Sequence, residues 1–330
     1  MVHLYREPTS TINLYMPDNP QKPGLSNMYK LSFHKGSLYI INMMIRKVNK
    51  KYMYSIIIAI VLFSIIYNIY DNNRFKVVEQ TVKIDSLPQS FNNFKILQIT
   101  DLHEKSFGEN QKDLIDAINK LDYDIIVITG DIVNKETVDM KPFEQLIKGI
   151  KKKDLVFFVG GNNDPKVFDT NGVTSFGKRV REDGCILLDK PYAIKRDKDA
   201  LWMLQYMLVS EECNKEYQEI KKEDIRIGLN HYPLTEEKYK LHNALKGLRY
   251  DLLLAGHYHG GQIRIPLIGA LYVPKGGVRV FLPSEKEVSG LQEKSNFRQY
   301  VSRGLGSSGP KLLAFRVFDT PEINIITLKK

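Results

Sequence analysis

Hydrophobic and polar positions follow three regimes along this chain. Residues 1–43 carry Pro8, Pro17, Pro20 and Pro23 with no sustained period, which predicts a poorly ordered N-terminal extension. The run YSIIIAIVLFSIIYNIY, Tyr54 to Tyr70, is uncharged and apolar all round, at the short end of what crosses a bilayer as one helix. A short polar linker is expected at 72–81. From residue 82 to 330, short apolar runs bounded by polar turns alternate with amphipathic stretches, the pattern of an α/β layered domain.

Within that domain, buried strands are predicted at Phe94 to Ile99, Ile125 to Ile128, Leu155 to Val159, Ile225 to Leu229 and Leu252 to Leu254. Helices are predicted at Lys112 to Leu121, where Leu114, Ile115 and Ile118 share a face, and at Phe143 to Ile150 and Thr235 to Leu245. No internal repeat or low-complexity tract interrupts the alternation.

Charge and composition refine this picture. Arg46, Lys47, Lys50 and Lys51 precede the apolar run and Asp71 and Arg74 follow it, so residues 44–71 read as a basic flank and a transmembrane helix. The positive-inside tendency puts the N-terminus in the cytoplasm and the domain outside. A cleaved signal peptide is the rival, but no small-residue cleavage site is evident. Translation is expected to begin near Met43 or Met44. The 330 residues, 43% hydrophobic, exclude disorder throughout. The net charge of +10, from 48 Lys+Arg against 38 Asp+Glu, favours contact with an anionic lipid, wall polymer or nucleic acid. Its runs, Lys151 to Lys153 and Lys221 to Lys222, are diffuse and read as solvated faces, so no specific nucleic-acid site is expected. Cys185 and Cys213 are the only cysteines, which excludes a thiolate metal cage and favours two unpaired thiols over one disulfide.

Candidate chemistry sits just after the carboxyl ends of the predicted strands, the edge where ligands collect in α/β sheets. Asp101-Leu102-His103 pairs a carboxylate with an imidazole at i, i+2, so in an extended segment both can grip one cation. Gly130-Asp131 offers a carboxylate able to bridge two ions, or else a helix cap. Gly161-Asn162-Asn163-Asp164-Pro165 supplies an amide oxygen in a tight loop. His231 follows a strand in Asn-His-Tyr-Pro, where a hydrogen-bonded core histidine is the bland alternative. Gly256-His257-Tyr258-His259-Gly260-Gly261-Gln262, with two imidazoles between glycines, is the strongest element, and Tyr258 and Gln262 are candidate pocket residues. Such nitrogen and oxygen donors suit Mn, Fe, Zn or Ni.

The ordered series DLH, GD, GNND, NHYP and GHYHGG resembles the calcineurin-like metallophosphoesterase superfamily, and GHYHGGQIRIPLIGALYVP with YVSRGLGSSGP resembles its membrane-associated bacterial branch. The resemblance runs from about Val82 to Leu328. It implies a two-sheet β-sandwich flanked by helices, completed by strands at Val278 to Leu282 and Leu312 to Phe318. It also implies two divalent ions, one held by Asp101, His103 and His259, the other by Asn162, His231 and His257, with Asp131 between them. The expected activity is hydrolysis of a phosphodiester, pyrophosphate or phosphomonoester by a dinuclear-metal-activated hydroxide, on a lipid-linked or envelope substrate at the membrane.

One position departs from the family pattern. Asn163 stands where a histidine is expected to assist the leaving oxygen, and an amide cannot titrate near pH 7. Asn163 could still hydrogen-bond a phosphoryl oxygen, Asp164 is an alternative proton source, and Arg303 is a candidate phosphate clamp or an exposed turn arginine. A non-catalytic metal-bound scaffold, motivated by Asn163, and a nucleotide phosphodiesterase or nuclease remain as alternatives.

Overall fold

A computed structural model of the chain describes residues 9–12, 31–34, 50–206, 214–246, 249–275, 278–294, 297–309 and 314–330. The chain forms two compact units, Met1–Ile66 and Tyr67–Lys330. In the first, Thr9–Ile12 pairs antiparallel with Leu31–His34, and the remainder of the expected extension and most of the basic flank lie outside the described residues. The apolar run is helical: α1 spans Lys50–Asn72, and its most apolar window has a mean hydropathy of 2.1 with none of it buried. An exposed helix of this length and composition meets the requirements for crossing a bilayer.

The second unit is built on two mixed six-stranded sheets. Its strands are β1 Lys76–Lys83, β2 Lys95–Ile99, β3 Ile125–Ile128, β4 Val156–Phe158, β5 Ile186–Leu187, β6 Tyr192–Arg196, β7 Asp199–Gln205, β8 Ile225–Leu229, β9 Leu252–Ala255, β10 Gly290–Lys294, β11 Phe297–Val301 and β12 Glu322–Lys329. The first sheet has the order β1-β12-β2-β3-β4-β5 and the second β6-β7-β8-β9-β11-β10. Strands β2 to β5 run parallel, as do β7, β8, β9 and β11, so their carboxyl ends share one side of each sheet.

Alternation along the strands explains the layering. Ile96, Ile125, Val127 and Phe157 of the first sheet pack with Leu201, Ile227, Leu229, Leu252 and Leu254 of the second, forming the sandwich core. Leu97, Ile99, Ile126 and Ile128 face the other way, onto Leu114 and Ile118 of helix α2 (Lys112–Ile118) and Phe143, Leu146 and Ile147 of α3 (Lys141–Gly149). On the far side, Trp202, Leu204 and Leu253 pack with Tyr239 of the helix Glu236–Lys246. Both faces of the central strands are thus buried, which is why they read as mostly apolar runs without strict alternation.

Three expectations differ from the structure. The linker expected at 72–81 is a strand from residue 76 on: Lys76–Lys83 forms β1, whose KVVEQTVK sequence is too polar to read as buried because it is an edge strand, held parallel to β12 along its whole length. Among the described residues Val278–Phe281 pairs only with Tyr272–Lys275, in a separate hairpin, and the second sheet is completed by β10 and β11 instead. Leu312 and Leu313 lie outside the described residues, and Ala314 to Phe318 forms no strand beyond a single bridge from Val317 to Ile263.

Candidate metal centre

Asp101 and His103 follow β2, Asp131 follows β3, Asn162 follows β4, His231 follows β8, and His257 and His259 follow β9. Contributions from both sheets therefore meet at the carboxyl ends of parallel strands. The loops are stitched to one another: Asp101 and His103 donate their backbone N–H groups to the carbonyls of Gly130 and Asp131, and Gly256 donates to His231. Gln98 Nε2 donates to the Ala255 carbonyl at 2.9 Å, tying the two sheets together beneath the site.

The backbone at the ligands is held in a costly conformation. Asp101, His103, Asp131, His257 and His259 all have φ between 47° and 71°, a region that disfavours side chains and persists only where surroundings enforce it. Close approach by glycine makes this possible. A methyl group on Gly161 would lie 2.1 Å from Asp131 Oδ1, and one on Gly256 would lie 2.3 Å from Asp101 Oδ2.

All seven side chains named from the sequence are brought together. Donor atoms of Asp101, His103, Asp131 and His259 lie within 4.8 Å of one another, and so do those of Asp131, His231 and His257. Asp131 belongs to both groups: its Oδ2 is 3.5 Å from His103 Nε2 and 3.3 Å from His231 Nε2. Asn162 joins the second group, its Oδ1 3.0 Å from His231 Nε2, which is also 3.1 Å from His257 Nδ1. His259 Nε2 is 3.5 Å from Asp101 Oδ1.

The donor set fits divalent cations. His103 Nε2 is buried without a hydrogen-bond partner, while its Nδ1 lies 3.1 Å from Asn134 Oδ1, an arrangement that assigns the proton to Nδ1 and leaves the Nε2 lone pair facing the cluster. His231 repeats the device, with Nδ1 2.9 Å from the Thr129 carbonyl. Burial pushes the Asp101 carboxyl up to about 7 against the pull of His231. Burial also opposes charge on Asp131, but His231, His103 and the Asn163 N–H outweigh it and hold the carboxyl well below its usual range. His257 is lowered to about 3 by burial and by His231, and burial with His103 holds His259 far below the imidazole norm. Burial disfavours a charged His231, yet Asp131 and Asp101 raise it to about 9. The neutral imidazoles of His103, His257 and His259 beside an ionised Asp131, and the carboxylates that draw a proton onto His231, make a place where positive charge is favoured.

The three residues named from the sequence for roles beyond ligation are placed differently. Asn163 donates from Nδ2 to Asp131 Oδ2 at 2.6 Å and from its backbone to Asp131 Oδ1 at 2.7 Å. Asp164 accepts four backbone N–H groups, from Asp131 and Gly161 on Oδ2 and from Ile132 and Val133 on Oδ1. Burial and Asp131 push its carboxyl up to about 6 even so. Arg303 is neither free nor fully exposed: it pairs with Glu285 at 2.7 Å and Asp319 at 3.2 Å. Tyr258 is buried, and Gln262 exchanges hydrogen bonds with the backbone of Ser308. Cys185 is a buried free thiol, and Cys213 lies outside the described residues.

Sequence reasoning passed over the residues that support the ligands. Asn134, which meets His103, is itself held by Glu104 at 2.9 Å. Arg316, fully buried, donates to Asp319 and to the carbonyls of Arg303, Gly304, Gly306 and His259. A charged residue inside the apolar run LLAFRVF, three positions before Asp319, is the signal that could have found it.

Comparison with known proteins agrees with this geometry. The Calcineurin-like phosphoesterase family model matches residues 94–261. The chain is 30% identical over 269 residues to the Bacillus subtilis protein named Uncharacterized metallophosphoesterase YkuE, spanning 78% of this chain and 86% of that protein. It is 25% identical to Phosphodiesterase YaeI of Escherichia coli, over 71% of this chain and 82% of that one. A zebrafish (Danio rerio) protein, Transmembrane protein with metallophosphoesterase domain, is 23% identical over 77% of this chain and 57% of its own length.

Proposed function

The chain belongs to the calcineurin-like phosphoesterase family and is a metal-dependent phosphoester hydrolase, and from that premise we propose that it uses a dinuclear centre on a lipid-linked or envelope substrate at the outer membrane surface. The observation that carries the dinuclear reading is Asp131, whose carboxylate is shared by both donor groups. Asp101, His103 and His259 would hold one ion; Asn162, His231 and His257 the other. When bound, two such ions supply charge neutralisation of the phosphoester and acidification of water. The protein's share is to fix the donors: Asn134 and the Thr129 carbonyl orient His103 and His231, and Asp164 pins the Asp131 loop to the Gly161 loop.

The surroundings of Asn163 support a narrower reading of the substrate. Asn163 cannot deliver a proton, all the hydrogen bonds seen at the Asp164 carboxylate come from backbone donors, and Arg303 is engaged by carboxylates. A pyrophosphate linkage or aryl ester, whose leaving group is stable as an anion, would not need that proton. The apolar helix and the basic balance of the chain support a substrate at the membrane.

A metal titration read by mass spectrometry, alongside turnover of an aryl phosphodiester with Mn²⁺, Zn²⁺ or Fe²⁺, tests the centre. Two ions per chain and loss of turnover in Asp131→Asn are expected. A single bound ion, with turnover unchanged in His257→Ala, would sink the dinuclear reading. For the substrate, rates across leaving groups of rising pKa should fall more steeply in the wild type than in Asn163→His; equal slopes reject that reading.

A further inference from the structure

Downstream of the His257-Tyr258-His259 motif, a cluster of large apolar side chains faces outward. Leu267 is fully exposed, Ile268, Phe281 and Leu282 are more than half exposed, and Ile265 and Phe315 are over a third exposed. Leu267 and Leu282 have φ of 68° and 47°, and so does Phe318 at 51°, conformations that bulky residues avoid unless something holds them there. Ile265 to Ile268 and Phe318 line a shallow cavity of about 370 Å³.

The position of this patch, rather than its exposure, identifies what covers it. The Phe318 ring stacks on Tyr67 at 5.6 Å, and the Phe318 N–H donates to Asn68 Oδ1 at 2.7 Å. Arg264 N–H donates to the Val317 carbonyl, Leu271 N–H to Ile263, and Leu282 N–H to Leu271. A series of ring, side-chain and backbone contacts thus leads from the C-terminal part of α1 toward both apolar loops. Tyr67 and Tyr70 end the apolar run of α1, where a spanning helix places its interfacial aromatics. Arg279, over the Tyr272 ring, adds a cation on an aromatic base at the hairpin, a pairing suited to lipid headgroups.

We propose that the loop Ile265 to Ile268 and the hairpin end Phe281-Leu282 form a second membrane contact, inserting into the interfacial layer of the lipid leaflet from which α1 emerges. The inference rests on the reading of α1 as a membrane anchor. Insertion of the kind made by interfacial segments, about 5–10 Å deep, would bury Leu267 and Phe281 in lipid. It would also orient the metal centre, since the loop begins shortly after His259, toward a phosphoester at the headgroup level.

The test uses the full chain in phosphatidylcholine vesicles, with and without lipid brominated near the top of the acyl chains. Leu267→Trp, Phe281→Trp and, within α1, Phe63→Trp are compared with the wild type, whose single tryptophan, Trp202, is buried and gives the background. Added emission from both patch variants should be blue-shifted and lose about half its intensity in brominated lipid, as expected for shallow insertion. Quenching of Phe63→Trp alone, with the patch variants still emitting as in water, overturns the proposal and leaves the anchor standing. No quenching in any variant overturns the anchor and the contact together. Blue-shifted patch emission untouched by bromine means that a protein surface covers the patch, which also overturns the assignment to lipid.

Discussion

Asp164 offers the sharpest separation between a structural and a catalytic role. Its two carboxylate oxygens each accept two backbone N–H groups, at 2.8 and 2.8 Å on Oδ2 and at 2.9 and 3.2 Å on Oδ1. Asp164→Asn keeps one oxygen and turns an NH₂ toward the other two donors. Hydrogen bonds to a charged group contribute about 1.5–3 kcal/mol each, so two losses cost about 3–6 kcal/mol. Relief of a buried charge, and of its repulsion with Asp131, offsets part of that, leaving a net destabilisation of about 2–4 kcal/mol against a total of about 5–15 kcal/mol. Urea unfolding of the full chain in detergent should show it, with chelator present so that bound metal does not mask the loss. Turnover measured at saturating Mn²⁺, where the fold is restored, should fall far less than in Asp131→Asn. The reasoning is refuted if Asp164→Asn unfolds with the wild type yet loses turnover and the high-pH limb of its rate profile, the behaviour of a general acid.

Three further outcomes follow from local geometry. Gly256→Ala would drive a methyl group to 2.2 Å from Thr100 Oγ1; the β9 loop must shift, and a displacement on the order of 1 Å at a reacting centre lowers kcat/KM about 100-fold, with metal content falling in parallel by mass spectrometry. Asp183 is held up at about 6 by burial and by Glu144, so the fold disfavours its charged form and wild-type stability falls as pH rises from the unfolded-state carboxyl range through 6. Asp183→Asn should therefore gain urea stability over the wild type at pH 8 and not at pH 4, and an equal difference at both pH values contradicts this. Burial pushes the Cys185 thiol up to about 12, and its thiolate fraction at neutral pH falls about a thousandfold or more below that of a free cysteine. In a Cys213→Ser background, a disulfide reagent should react with Cys185 only on unfolding; prompt reaction of the native protein would show the burial to be wrong.

Why some of this was legible in the sequence and some was not comes down to how local each signal is. Strands β2, β3, β4, β8 and β9 are buried on both faces, so each is a mostly apolar run, broken only by Gln98 and by the end residue Lys95 in β2 and by Arg226 in β8, and each candidate ligand stands just past such a run. Order and spacing then sufficed to name the cluster. Edge strand β1 carries no such signature, because its partner β12 lies at the other end of the domain sequence and only the pairing makes it a strand. The partners of Asp164 and Arg303 were equally hidden. Beside a ligand motif Asp164 reads as an acid, and Arg303, ahead of Gly304, reads as a phosphate clamp or an exposed turn arginine; only the fold shows their partners, four backbone N–H groups in one case and Glu285 and Asp319 in the other.

The same logic explains why Arg316 matters although it ligates nothing. His259 is the candidate ligand farthest along the chain, and the 303–306 segment that backs it is tied to the Asp101 loop by Leu305 and Gly306, whose N–H groups donate to the Thr100 and Asp101 carbonyls. Arg316 joins that segment to His259 by donating to carbonyls on both sides, Arg303, Gly304 and Gly306 on one and His259 on the other, while Asp319 balances its charge. A buried guanidinium is tolerated only when its donors and its charge are both met, and removing one partner of such a pair costs about 3–5 kcal/mol. Its backbone is fixed in turn from the end of α1: Asn72 bonds the N–H and the carbonyl of Arg316, Asn68 takes the N–H of Phe318, and Asp71 accepts from Thr320. Asn68, Asp71 and Asn72 therefore do two jobs: they end the apolar helix, and they hold the strap that holds His259. Asn72→Ala should therefore lower bound metal, measured by mass spectrometry, with no candidate ligand touched, and unchanged metal content would refute this coupling.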